Sequence, residues 1–105
     1  MQVTLKEIAN VIRSKNAGPF ELTLDVLLKE PETFTKMQKK RTINEKVIAE
    51  LYQIPEENVL SIVYFPNALA IKATIVRPLP SGAMGERDVY GAQQHGPLVN
   101  FTFDL

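Results

Sequence analysis

Residues 13–29 read RSKNAGPFELTLDVLLK, and how this stretch is read decides the fold. From Phe20 onward every second residue is apolar: Phe20, Leu22, Leu24, Val26 and Leu28. Glu21, Thr23, Asp25 and Lys29 stand between them, with Leu27 the single exception. In an extended chain successive side chains point to opposite faces, so residues 20–29 are predicted as a strand with one buried and one wet face. The preceding Lys15-Asn16-Ala17-Gly18-Pro19 is polar and holds two helix and strand breakers, which predicts a loop feeding that strand. A loop at the rim of a rigid strand is a place where polar groups can be held for binding.

On the N-terminal side, Thr4 is followed three residues later by Glu7, and Leu5, Ile8, Ala9 and Ile12 share helical spacing. That pattern predicts a capped amphipathic helix over residues 5–14. On the C-terminal side, Pro31 suits a first helical turn, and Phe34 and Met37 give a sparse stripe through Lys40. The basic run Lys36, Lys39, Lys40 and Arg41 fits a solvated helix end, where the macrodipole favours cations, or an anion contact. Thr42 and Glu45 form a second capping pattern, opening a helix with Ile43, Val47, Ile48 and Leu51 on one side and Pro55 at its close. Val59–Phe65 is apolar and β-branched without clean alternation; Pro66-Asn67 makes a turn, and residues 68–76 alternate again, so the two runs read as a hairpin. Residues 77–97 carry glycines and prolines without periodicity and read as a long loop. Residues 99–105 alternate once more and read as the last strand.

An α+β chain of this order suggests a ferredoxin-like split βαβ arrangement with a four-stranded, mainly antiparallel sheet. The third strand inserts between the first two and the fourth flanks the first, giving order 4-1-3-2 with helices on one face. The other face then displays Glu21, Thr23, Asp25, Lys72 and Thr74, and Asp25 is expected to be solvated or paired across strands with Lys72.

The totals bound the function. A chain of 105 residues with 45% hydrophobic and 23% charged residues is expected to form one domain, 1–105, with a single modest core. Twelve basic residues balance twelve acidic ones, so no net field draws in nucleic acid or an anionic membrane. The absence of cysteine excludes disulfides, thiolate metal sites and a cysteine nucleophile, and fits a cytoplasmic location. No apolar leader or membrane-length run is present, so neither a signal peptide nor a span is expected. Residues 42–60 look like the first half of a helix-turn-helix, but strand-like sequence follows where a recognition helix should start, and nucleic acid is not expected as a partner.

Candidate chemistry lies at two places. His95, the only histidine, sits beside Gln93 and Gln94 in a glycine-bounded segment. It reads as a general acid/base or donor to a carboxylate or carbonyl, helped by the two amides, or as a loop whose side chains satisfy backbone groups. Lys15 and Asn16, ahead of Gly18, read as a grip on an anionic or amide-bearing ligand, or as a solvated turn. No metal-ligand spacing and no phosphate-binding glycine motif occurs, so neither a metal nor another cofactor is expected.

Three segments, RSKNAGPFELTLD, IAELYQIPEENV with FPNALAIKATIVRP, and DVYGAQQHGPL, together resemble a family of small bacterial proteins carrying a domain of unknown function, DUF4387. Proteins of this kind resemble partners of, or C-terminal extensions to, proteins like the acyclic terpene utilisation protein AtuA, where the small domain is ferredoxin-fold. The resemblance implies an accessory subunit of a larger AtuA-like protein in the catabolism of carboxylic acids or acyl-CoA thioesters. The polar positions it singles out are Ser14, Lys15, Asn16, Gly18, Asp88, Gln93, Gln94 and His95. Two other readings stay open: a self-assembling, homo-oligomeric hydratase or lyase using His95, and a module binding an organic acid or acyl-CoA.

Overall fold

A computed structural model of the protein describes residues 1–18, 20–76 and 96–105. Its main sheet has four strands: β2 (Ala9–Asn16), β3 (Glu21–Leu28), β4 (Val59–Phe65) and β5 (Ala70–Val76). Their order is β2-β3-β5-β4, and every neighbouring pair is antiparallel. A separate ribbon joins β1 (Gln2–Thr4) to β6 (Thr102–Asp104). The helices are α1 (Leu5–Ile8), α2 (Pro31–Lys40), α3 (Glu45–Tyr52) and α4 (Gly96–Val99).

The alternation of β3 translates directly into packing. Leu22, Leu24, Val26 and Leu28 are buried, and the β5 register partners of the first three, Ile75, Ala73 and Ile71, are buried with them. Phe34 and Met37 of α2 and Ile48 and Ala49 of α3 close over this face in the same apolar cluster. Full burial of one such aliphatic side chain is worth about 1.5–3 kcal/mol. Tyr64 of β4 ties sheet to helices. Its ring stands edge-on to Phe34 at 6.0 Å, and its hydroxyl donates to the Ile43 carbonyl at 2.7 Å and accepts from the Ile43 N–H at 3.1 Å. Burial raises the Tyr64 phenol above its ordinary pKa, against the lowering effects of the Ile43 backbone and the Arg41 guanidinium.

The chain is α+β with a four-stranded antiparallel sheet, but the ferredoxin-like split βαβ order 4-1-3-2 is not the one found. β5 does lie between β3 and β4, antiparallel to both. The place beside β3 expected for the last strand is taken by β2, from a segment expected to be helical. Only Leu5–Ile8 forms a helical turn, with the Thr4 N–H donating to Glu7 Oε1 at 3.3 Å. Beyond it the free edge of β3 offers a full ladder, and the strand-forming Val11 and Ile12 take it; tertiary pairing overrides local spacing. The last strand shortens to Thr102–Asp104 because Gly96–Val99 coils and the edge of β3 is already occupied.

Candidate functional site

The described part of the sequence-predicted site is the turn from β2 to β3. The Ala17 N–H donates to the Glu21 carbonyl at 2.9 Å, and the Thr23 hydroxyl donates to the Lys15 carbonyl at 3.2 Å. Gly18 has φ +106, a conformation that L side chains rarely adopt, so the turn requires glycine there. Lys15 lies opposite Thr23 and Asn16 opposite Leu22. Consecutive strand residues face opposite ways, so the Lys15 ammonium belongs to the outer face while half-buried Asn16 belongs to the core side. Asp88, Gln93, Gln94 and His95, like the rest of the expected 77–97 loop up to residue 95, lie outside the described residues. That segment leaves from Val76, the register partner of Glu21, and the chain resumes at Gly96 in α4, which packs on α1 and α3.

The outer face of the sheet is built in cross-strand rows. Lys15, Thr23, Thr74 and Ser61 form one row, and Arg13, Asp25, Lys72 and Val63 the next. The third is wholly apolar: Val11, Leu27, Ala70 and Phe65. Val11 is 38% exposed, Val63 41% and Phe65 44%, so large hydrocarbon side chains stand in water where the helices do not reach. The Arg13 guanidinium meets the Asp25 carboxylate at 3.1 Å. Asp25 is expected to be solvated or paired with Lys72, which does lie opposite it in register, but the ion pair runs to β2 instead. A contiguous apolar strip on a solvated face, with charged and polar side chains along one side of it, has the make-up of a protein-docking surface.

Sequence reasoning missed this strip because Val11 and Arg13 were assigned to a helix. Two signals pointed to it: Leu27, the one break in the alternation of β3, and the largely apolar run of β4, interrupted only by Ser61. Both record a sheet that carries hydrocarbon on its second face.

Among the described residues no group of three or more His, Cys, Asp or Glu could hold a metal ion, and no helix is long and apolar enough to cross a membrane. An open depression between the start of α3 and the turn Glu56–Asn58 is lined by Asn44, Glu45, Lys46, Glu56 and Glu57, three of them acidic. Neither the curated proteins nor the solved structures contain a match to the chain. The family described as a domain of unknown function, DUF4387, matches residues 5–102, nearly the full length of the 105 residues. On that match the chain belongs to the DUF4387 family.

Proposed function

We propose that this chain is an accessory subunit that docks on a larger AtuA-like protein through the outer face of its sheet. The observation that carries the docking is the apolar row Val11–Leu27–Ala70–Phe65, which crosses all four strands on the face opposite the helices. Desolvating such a strip against a partner is favourable at about 25 cal/mol per Å² of apolar area, and the Arg13–Asp25 pair and Lys72 beside it supply the polar register. The identity of the large partner, and its action on carboxylic acids or acyl-CoA thioesters in the cytoplasm, follow from the family resemblance. The test is affinity capture from native extract with the tagged full chain. The expected result is an AtuA-like large protein identified by mass spectrometry, lost when Leu27→Glu places a carboxylate at the centre of the apolar row. Capture unaffected by Leu27→Glu, or turnover of acyl-CoA substrates by the isolated chain, overturns the reading; the second result points to a self-sufficient hydratase or lyase instead.

A further inference from the structure

We propose that two copies of this chain pair antiparallel along the free edge of β4, joining their sheets into one continuous sheet. This goes beyond the docking reading and does not depend on it. Among the described residues β2 and β4 are the two edges of the main sheet, each paired on one side only. An edge strand presents unpaired N–H and C=O groups, and edges that must stay single are guarded by charge, proline or a bulge. β2 is guarded: it carries Arg13 and Lys15, and its register shifts between Ala9 and Val11. β4, VLSIVYF, has neither a charge nor a proline, and its one irregularity, between Val59 and Ser61, leaves Ser61–Phe65 regular.

The occupant follows from charge and side-chain fit. A two-fold axis at Val63 sets Val63 of each copy against the other, Ile62 of one against Tyr64 of the other, and Ser61 against Phe65. Aliphatic and aromatic cross-strand pairs of this kind stabilise antiparallel ladders. The same operation on β2 opposes Arg13 to Arg13 or to Lys15, which like-charge repulsion disfavours. Ser61, Val63 and Phe65 are exposed and lie on the outer face, so the pairing proceeds without moving the helix layer. Closed two-fold pairing uses the same patch on both copies and stops at two.

The purified full chain is therefore expected to sediment at twice its 11.8 kDa mass. Val63→Lys places two ammonium groups across the axis and halves that mass, whereas Val11→Lys, on the other edge, leaves it unchanged. The chain has no cysteine, so Val63→Cys gives a clean second reading. It forms a disulfide-linked dimer under mild oxidation, because antiparallel partners hold their Cα atoms about 4.5–5.5 Å apart, and Val11→Cys does not. A monomer at every concentration up to the solubility limit, failure of Val63→Cys to cross-link, or equal loss of the dimer with Val11→Lys overturns the proposal. If Val63→Lys does not fold, the cysteine pair decides.

Discussion

The Tyr64 hydroxyl both donates to and accepts from the backbone of Ile43, so a single side chain fixes the connection between α2 and α3 onto the sheet. Tyr64→Phe keeps the ring against Phe34 and removes both bonds, leaving a half-buried N–H and C=O to find water. We expect a loss of about 1–2 kcal/mol in urea denaturation. The same residue predicts a pH dependence. Burial raises the phenol pKa of Tyr52, and that of Tyr64, above the ordinary 10.0. Below that value both the folded and the unfolded chain keep the protons, and pH has no effect through these groups. As pH rises past it the unfolded chain loses them first, so stability falls until the folded chain follows. The midpoint should drop as pH is raised above about 10, and less steeply in Tyr64→Phe, which removes one of the two titrations. An equal slope in both proteins rules out the contribution of Tyr64. None of this was visible in the sequence, where Tyr64 is one member of an apolar run and its partner lies twenty-one positions away.

At the scale of elements, what was legible depended on whether burial and periodicity coincide. In β5 they do, and in β3 nearly so: every second residue is apolar and buried, with Thr23 the one polar residue of β3 buried beside them. In β2 they do not, because its core side carries Ile12, Ser14 and Asn16, and Ser14 is only 5% exposed. Two polar residues on the buried face erase the period-two signal, while Leu5, Ile8, Ala9 and Ile12 happen to keep helical spacing. The start of α3 shows a related displacement. The sequence offered Thr42 and Glu45 as the capping pair, but the N-cap is Asn44, whose side chain accepts from the Val47 N–H at 2.9 Å. Asn44 also donates from its amide to the Arg41 carbonyl at 2.9 Å, at a residue in the left-handed conformation with φ 50. One side chain thus starts α3 and braces the residue that ends α2. Asn44→Ala should cost about 1–2 kcal/mol, whereas Thr42→Ala should stay within about 0.5 kcal/mol. Thermal unfolding of the two variants side by side checks the assignment, and a larger loss for Thr42→Ala overturns it.

Across the whole molecule, the residues expected to complete the main sheet instead close a second, smaller one. A three-residue partner for the last strand carries no readable periodicity, so Gln2–Thr4 was not recognisable as β1, and without it residues 99–105 were assigned to the nearest open edge. The outcome for the candidate site is similar: the turn at Gly18 was legible from its breakers, whereas Lys15 and Asn16, expected in the loop, extend β2 opposite Thr23 and Leu22, and the docking strip depends on which strand pairs with β3, a long-range fact. The β1–β6 ribbon is too short to persist on its ladder alone, since isolated two-stranded pairs are marginal in water. Its stability comes from burial. Val3 and Phe103, register partners, both join the main apolar cluster, together with Leu5 and with Leu98 of α4. Phe103 also stacks on Phe101 at 5.2 Å, and the Leu5 N–H donates to the Phe101 carbonyl at 2.8 Å, clamping the ribbon to the start of α1. The ribbon and the sheet therefore unfold together. Phe103→Ala should lower global stability by about 3–4 kcal/mol, with one cooperative transition retained, while Thr102→Ala on the exposed side of the same strand should be nearly neutral. If Phe103→Ala instead frees only the ribbon, hydrogen exchange will show β1 and β6 opening while β3 and β5 keep full protection, and the single-core account of the molecule fails.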